Sequence, residues 1–349
     1  MRRIGLLLLF ILAGLGLAWL LHIDVGELAH SGGYKTAAFL LLAIGLYGAT
    51  SSIDLRRAAA DKKIIVSAVT LGVIVKALII GGVLALAWHN PLFLILGVVV
   101  AQIDPLSVAA LMGDERMSPR ARTVLAAWSS FDDPFTVVLA IYAAAVAVNT
   151  FGLGNAAASG ESPILLYATD LGGNLLLAGA AWLVWRAVRS RTWLQYAALL
   201  IFATAAVYLG WMLAIAIIGL FARPEALTKL IPRITTWAFY TAAVILGILL
   251  IGGIDPWRGI TLGVTAFIAQ AIVSVPLTRH MPTADRWHLA GAQQHGITAI
   301  ILALTLEIQF DGVVAIVAPA IIAANIFHVL ANRVIDRYLL RSAVAFNET

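Results

Sequence analysis

Long apolar segments, separated by short polar linkers, run through the whole sequence. A helix needs about 20 apolar residues to cross roughly 30 Å of hydrocarbon, and eleven segments are of about this length or longer. They lie at about 4–22, 36–53, 64–88, 91–112, 122–148, 164–186, 193–222, 235–253, 258–278, 289–306 and 312–332. This pattern predicts an all-α, polytopic membrane protein.

The number of crossings depends on segment 193–222. Its 30 residues would form about 45 Å of helix, which is long for one crossing and short for two. Twenty of the 23 lysines and arginines fall on one side of the membrane if this segment crosses twice, with a bend near Gly210. Basic linkers are typically cytoplasmic. We therefore predict about 12 transmembrane helices in the cytoplasmic (inner) membrane, with both termini cytoplasmic.

Composition and charge agree with this class. The chain is 62% hydrophobic and 12% charged, against about 45–50% and about 25% in ordinary soluble domains. The formal net charge of +5 follows from the cytoplasmic linkers, so we expect a lipid bilayer and no nucleic acid as partner. The absence of cysteine from the sequence excludes disulfides, thiolate metal sites and a cysteine nucleophile.

The first segment follows Arg2 and Arg3, as the apolar core of a signal peptide would. Its 16 or more apolar residues, and the lack of a small-residue cleavage site after them, favour a retained helix. We expect this segment to be the first transmembrane helix.

An internal repeat is visible in the order of motifs. Residues 46–57 (GLYGATSSIDLR) and 247–258 (GILLIGGIDPWR) each end a predicted span. Each is followed by two crossings, the second of which has a polar interruption, at 101–105 (AQIDP) and 292–296 (AQQHG). Seven crossings separate the copies, so the second is inverted. Paired interrupted helices in inverted halves are typical of secondary transporters.

Ionisable residues deep in a span are costly to insert and are therefore candidates for function. Asp104, with Pro105 after it, marks a helix break, because proline has no N–H and clashes with the preceding turn. Asp104 either caps the second half-helix or contacts an ion directly. The remaining deep positions are Lys76, Asp132, Asp133, Asp170 and His295, with Glu307 and His328 nearer the ends of their spans.

Asp132 and Asp133 are consecutive, so they point about 100° apart on a helix and their roles should differ. Burial and like charge disfavour ionisation of both together. A buried carboxylate can hold either a proton or a small hard cation, whose preferred ligands are oxygens. Competition between the two is the mechanism of an antiporter.

Other deep polar residues have open alternatives. Lys76 is either the counter-charge of Asp132 or a residue that lines a polar crevice without pairing. His295 donates to carbonyls exposed at the break, titrates near neutral pH, or packs passively. Asp170, with Asn174 one turn later, is expected to be a polar contact between helices.

The motifs resemble those of the monovalent cation/proton antiporter superfamily, the bacterial and eukaryotic sodium/proton exchangers. Residues 103–108 (IDPLSV) match that family's Thr-Asp-Pro-Val-Ala-Val. Residues 122–133 (RTVLAAWSSFDD) correspond to its Arg-x-x-x-Leu-x-x-Glu-Ser-Leu-x-Asn-Asp. Residues 294–299 (QHGITA) correspond to its late Leu-Arg-Gly segment, and 53–57 (IDLRR) to the exit of its second helix.

The resemblance implies a secondary active antiporter that exchanges Na⁺ (or Li⁺) for H⁺ by alternating access. It implies a homodimer without cofactor and an inverted repeat with two crossed discontinuous helices. Core helices would lie at about 64–148 and 258–337, and dimer or scaffold helices at about 4–53 and 164–253. Asp133 would bind the transported Na⁺, with Asp132 assisting or carrying a second proton, and Asp104 would stabilise the crossed half-helix ends. The other expected site residues are Ser129, as the family's serine, and, in supporting roles, Gln102, Ile103, Lys76, Gln293 and His295.

The chain departs from the family's pattern at several positions. The threonine of the broken helix is Ile103, and the asparagine of the pair is Asp132, as in the branch with an Asp-Asp pair. The family's glutamate is Trp128 and its arginine is His295. These two form an ion pair in many members, so their joint loss leaves no stranded charge. That branch usually has a lysine in the tenth helix, and 258–278 has none.

The same residues are compatible with other functions. Within transport they are K⁺/H⁺ antiport and, less favoured, sodium-coupled symport of an organic solute, and a channel or a transport-inactive sensor also stays open. Intramembrane aspartyl proteolysis needs aspartates on two helices with a Gly-x-Gly-Asp pattern, which the sequence lacks. We expect no enzyme, since the sequence also shows no phosphate loop, zinc-ligand spacing or nucleophile triad.

Overall fold

The computed structural model describes residues 2–53, 61–104, 108, 117–154, 163–189 and 191–347. All regular secondary structure in these residues is helical, which confirms the predicted all-α class. Several residues of the sequence motifs lie outside the described residues, namely Asp54, Leu55, Arg56, Arg57, Pro105, Leu106 and Ser107.

The described helices follow the predicted apolar segments closely. In chain order they are α1 (Arg2–Leu21), α2 (Val25–Ala29), α3 (Gly32–Ser51), α4 (Lys62–Ser67), α5 (Val73–Trp88), α6 (Leu92–Val99), α7 (Pro119–Phe151), α8 (Pro163–Ala187), α9 (Thr192–Leu209), α10 (Met212–Phe221), α11 (Glu225–Leu249), α12 (Pro256–Leu277), α13 (Thr283–Ala290), α14 (Ile297–Glu307) and α15 (Val313–Asn347). A π-helical segment, Ala68–Gly72, joins α4 to α5, and a 3₁₀ turn, Leu250–Gly252, extends α11.

Six helical stretches within the described residues are long and apolar enough to cross a membrane. They are Lys62–Trp88, Pro119–Asn149, Thr192–Leu209, Glu225–Gly252, Pro256–Leu277 and Val313–Leu339. Shorter apolar helices lie at Gly5–Leu21, Met212–Phe221 and Ile297–Glu307. The count of about 12 crossings stays a prediction.

The long segment 193–222 bends where the sequence predicted. Helix α9 ends before Gly210, whose φ of 74° is left-handed and suits glycine. The N–H of Trp211 donates to Ala206 O (2.8 Å) and that of Gly210 to Val207 O (3.3 Å), which closes the helix end as a Schellman motif. Asn174 Oδ1 then accepts from the N–H of Ala214 (2.8 Å), which satisfies an amide in the first turn of α10.

The chain forms two compact units. Unit 1 contains Met1–Ile53, Asp133–Ile254 and Ile297–Ala315. Unit 2 contains Asp54–Asp132, Asp255–Gly296 and Ile316–Thr349. The unit boundary lies within α7, between Asp132 and Asp133, so the two consecutive aspartates are assigned to different units.

In unit 1, α1 packs closely against α11 through glycines. A Cβ on Gly14 would overlap the backbone of Val244, and one on Gly247 would overlap the backbone of Ile11. Small residues allow transmembrane helices to approach at such contacts. Helix α3 packs against α10, α11 and α14 in the same unit. Tyr34 Oη on α3 donates to Leu304 O on α14 at 2.6 Å, inside this packing.

In unit 2, α5 and α6 form an antiparallel pair that is also built on glycine. Gly81 and Gly97 meet so closely that a Cβ on Gly97 would contact the backbone of Gly81 and Ala77. Helix α12 packs against both α5 and α13. This arrangement places the interrupted segments after α6 and after α13 in the same unit as Lys76 and Asp132.

Candidate functional site

The two polar interruptions predicted from the sequence contact each other in unit 2. Helix α6 ends at Val99, and residues 100–104 are not helical. Helix α13 ends at Ala290, and residues 291–296 are not helical. The N–H of Asp104 donates to Gln294 O at 3.0 Å, which joins the two interruptions through their backbones.

The Gln293 side chain holds the first interruption in place. Its Nε2 donates to Val100 O (3.0 Å) and to Gln102 O (2.8 Å), and the side chain is fully buried. Carbonyls freed at a helix break must find partners inside the protein when no bulk water reaches them. Gln293 supplies two such partners at once, which explains why a glutamine lies in an otherwise apolar segment.

Asp104 lies in the tightest part of this contact. A Cβ built on Gly296 would overlap the Asp104 carboxylate, so a side chain at position 296 would displace it. Asp104 O accepts from the N–H of Val108 at 3.1 Å. The side chain of Asp104 is buried.

Asp132 connects α7 to both α5 and the first interruption. Its Oδ2 accepts from Lys76 Nζ at 3.2 Å and from the N–H of Ile103 at 2.9 Å. Both side chains of the ion pair are 0% exposed. Of the two alternatives for Lys76, pairing with Asp132 is therefore the one observed. The backbone of Ile103 makes its contact without the hydroxyl that the family's threonine would carry at this position.

Lys76 also contacts the aromatic residue that replaces the family's glutamate. Its Nζ lies 5.7 Å from the ring centroid of Trp128, within cation–π distance. Trp128 is fully buried, and its Nε1 has no hydrogen-bond partner among the described residues. The positive charge near this position is thus carried by Lys76, a residue of α5 that follows the π-helical segment by four residues. π-Helical turns are frequent at functional sites.

His295 is fixed by its backbone and not by its ring. Its N–H donates to Asn325 Oδ1 (3.0 Å), and its carbonyl accepts from Asn325 Nδ2 (2.9 Å). Both ring nitrogens are buried without a hydrogen-bond partner among the described residues. The interpretation in which the ring donates to carbonyls of the break is therefore wrong for this structure.

Asp133 has a partner, Thr298, that the sequence motifs did not predict. Thr298 Oγ1 donates to Asp133 Oδ2 at 2.6 Å, and both residues are buried parts of unit 1. Ser129, which the resemblance placed with Asp133, instead donates from Oγ to Ala126 O of its own helix at 3.2 Å. A polar residue in the otherwise apolar run after Gly296 was the available signal for Thr298.

Asp170 and Asn174 make the polar contact between helices that the sequence predicted. Tyr142 Oη on α7 donates to Asp170 Oδ2 on α8 at 3.1 Å. Asn174 Nδ2 donates to the same carboxylate at 3.2 Å while its Oδ1 caps α10. Glu307 has a comparable structural role, since its carboxylate accepts from the N–H groups of Gly312 (2.9 Å) and Val314 (2.7 Å) around the start of α15.

Comparison with known protein families identifies the family of this chain, which the contacts alone do not. The transmembrane model of the sodium/hydrogen exchanger family matches residues 1–222. The chain belongs to the sodium/hydrogen exchanger family. The resemblance inferred from the motifs is thus confirmed, and this exchanger-family chain is a multi-pass membrane protein of a transporter family.

The fold is similar to that of solved structures of the sodium proton antiporter MjNhaP1 from Methanocaldococcus jannaschii. A structure at pH 8 matches with a TM-score of 0.71 and 18% identity, over 95% of this chain and 89% of that chain. A structure from an electron-microscopy map matches with a TM-score of 0.65 and 18% identity, over 93% and 88% of the two chains. A comparison with curated proteins finds no match.

Proposed function

We propose that this exchanger-family chain is a secondary active antiporter that exchanges Na⁺ (or Li⁺) for H⁺ by alternating access. A proton and the cation compete for the carboxylate of Asp133. The carrying observation is that Asp133 is buried and accepts a hydrogen bond from the neutral hydroxyl of Thr298. A hydroxyl can donate to an ionised carboxylate or accept from a protonated one, so the contact persists in both loading states and is the stronger one when the carboxylate is ionised.

Asp132 has a different role, because Lys76 already balances its charge. Two charges buried together are costly to separate, and each is stable only while the other is present. We propose that Asp132 assists cation binding and carries a second proton in partnership with Lys76. If the ion pair opens and Asp132 takes up a proton during transport, the net charge moved across the membrane in each cycle changes.

We propose supporting roles for the residues around the two interruptions, which would not bind the transported cation themselves. Gln293 and the backbone of Ile103 hold the break, Gln102 presents its carbonyl there, and Asp104 stabilises the ends of the crossed discontinuous helices. Ser129 on α7 occupies the position of the family's serine, and His295 that of the family's arginine.

Helices at about 64–148 and 258–337 would form the transporting core, and those at about 4–53 and 164–253 the scaffold of a homodimer in the cytoplasmic membrane. Both termini would then lie in the cytoplasm.

The test is cation-driven proton movement in proteoliposomes that contain the purified protein. We expect Na⁺ or Li⁺ to dissipate an imposed pH gradient, and Asp133→Asn to abolish this exchange. Asp170→Asn, which changes a carboxylate engaged in contacts between helices, should retain it. Undiminished exchange by Asp133→Asn would refute the assignment of the ion site. Exchange with K⁺ alone, or uptake of an organic solute driven by Na⁺, would replace the proposed reaction by K⁺/H⁺ antiport or symport.

A further inference from the structure

Two threonines of unit 1, Thr298 and Thr136, have buried hydroxyls that do not bond to a carbonyl of their own helix, as the hydroxyls of many other described threonines do. Many threonine hydroxyls here donate to a carbonyl four residues earlier in their own helix. Examples are Thr36, Thr70, Thr123, Thr265 and Thr305, at 2.7–3.0 Å. That contact satisfies the hydroxyl locally and needs no other part of the protein.

Thr298 cannot use this local contact because of where its helix begins. It is the second residue of α14, and the residue four positions earlier, Gln294, lies in the non-helical interruption. Its hydroxyl donates to Asp133 Oδ2 at 2.6 Å instead. A short hydrogen bond of this kind to an ionised acceptor is stronger than one between neutral groups. The first turn of a helix also favours a negative charge nearby.

Thr136 lies inside helix α7, and its hydroxyl does not make the local bond to a carbonyl of the helix. It is 0% exposed, and its Oγ1 has no hydrogen-bond partner among the described residues. On α7 it lies three residues after Asp133, which places the two side chains on neighbouring positions of one helix face. A buried hydroxyl without a partner costs stability and calls for a ligand that satisfies it.

Resting on the proposed exchange at Asp133, we propose that the two hydroxyls divide the work of cation selection. Thr298 is a positioning residue that acts through Asp133, because its hydrogen bond stabilises the ionised carboxylate against the proton. Thr136 is a direct ligand, whose oxygen coordinates the dehydrated cation together with an oxygen of Asp133. Hydroxyl and carboxylate oxygens are the ligands that hard monovalent cations favour.

These roles predict different dependences on pH. If Thr298 only weakens proton binding to Asp133, its loss strengthens proton binding. The apparent KM for Na⁺ then rises at acidic pH, where protons compete with Na⁺, and is unchanged at alkaline pH, where they do not. If Thr136 coordinates the cation, its loss raises KM at every pH. The two variants therefore separate in one measurement, the KM for Na⁺ as a function of pH in proteoliposomes.

The variants Thr298→Val and Thr136→Val remove each hydroxyl with little change in shape. For Thr298→Val we expect KM to rise about 10-fold at acidic pH, to converge within twofold on the wild type at alkaline pH, and the pH of half-maximal exchange to move up by about one unit. For Thr136→Val we expect a rise of about 10-fold across the whole pH range. Thr298→Ser and Thr136→Ser, which keep a hydroxyl, should restore most of each loss.

Thr305→Val is the matched control, because it removes a hydroxyl that bonds to Ile301 O within the same helix as Thr298. It should change neither KM nor the pH profile. The melting temperature distinguishes a ligand role of Thr136 from a purely structural one, which would predict a lower melting temperature for Thr136→Val. Thr136→Val should melt at or above the wild-type temperature, since it removes an unsatisfied buried group, while transport is weakened.

Failure of this inference is distinguishable from failure of the proposed function. If the wild type exchanges cations for protons and both valine variants match it, the roles of the hydroxyls are wrong while antiport stands. A KM raised at all pH values in Thr298→Val, or only at acidic pH in Thr136→Val, overturns the division of roles. If the wild type itself exchanges no cation, the proposed function fails first.

Discussion

Lys76 Nζ and Asp132 Oδ2 are 3.2 Å apart, and neither side chain has any exposed surface. The two residues lie 56 positions apart in the sequence, on α5 and α7. A carboxylate and an ammonium group buried in this way are each stabilised mainly by the other. This pair therefore anchors α7 at the residue next to Asp133.

The first prediction concerns the stability of this pair. Lys76→Met should strand the Asp132 charge and destabilise the protein by about 3–5 kcal/mol, as breaking a buried pair typically does. Lys76→Met combined with Asp132→Asn should recover most of that loss, because no charge remains. Thermal unfolding of the purified variants in detergent measures both. Lys62→Met, at an exposed position on α4, is the control and should change the melting temperature little. Equal stability of the single and double variants would contradict the prediction.

The second prediction concerns the charge moved in each cycle. Asp132→Asn should lower stability, because it strands the Lys76 charge. The folded fraction should continue to exchange at a reduced rate but should lose its response to membrane voltage, because the second proton site is gone. Exchange rates in proteoliposomes under imposed membrane potentials of either sign test this. Undiminished voltage dependence in Asp132→Asn would assign the second proton elsewhere.

The third prediction concerns the support of the first interruption. Gln293→Leu removes the donors to Val100 O and Gln102 O and leaves both carbonyls buried without this partner. Each loss costs about 1–3 kcal/mol, so we expect a clearly lowered melting temperature and slower exchange. Gln195→Leu is the control, since its amide bonds to Arg189 O in an exposed position. A variant Gln293→Leu as stable as the wild type would show that the break does not depend on this side chain.

The fourth prediction concerns Gly296. Gly296→Ala would place a methyl group against the Asp104 carboxylate, so either the carboxylate or the interruption must shift. We expect exchange to fall by at least 10-fold. Gly82→Ala, in α5, introduces the same methyl group where nothing lies within 4 Å, and helix propensity favours it by up to about 1 kcal/mol. Parallel flux assays should find wild-type activity in Gly82→Ala and the reduced activity in Gly296→Ala. Equal activities of the two variants would remove Asp104 from the transport machinery.

Local sequence determined where the helices begin, bend and break. Hydropathy depends only on neighbouring residues, so the apolar segments predicted α1, α3, α8 and α12 to within a few residues. Gly210 marked the bend because a left-handed residue ends a helix in a way that glycine tolerates. The polar runs around Asp104 and Gln293 marked the two interruptions, since polar and charged residues are costly inside a membrane-spanning helix.

Tertiary structure decided which of these groups meet. Lys76 had two equally open interpretations, because the sequence gives the depth of a residue in its span but not the direction in which its helix faces another. Thr298 and Asp133 are 165 residues apart, so no local pattern in the sequence links the threonine to the aspartate. Ser129, which the resemblance placed among the site residues, donates to Ala126 O of its own helix. The sequence thus determined the helices and the acids they carry, whereas the partner of each acid depends on contacts between distant segments, which only the packed chain brings together.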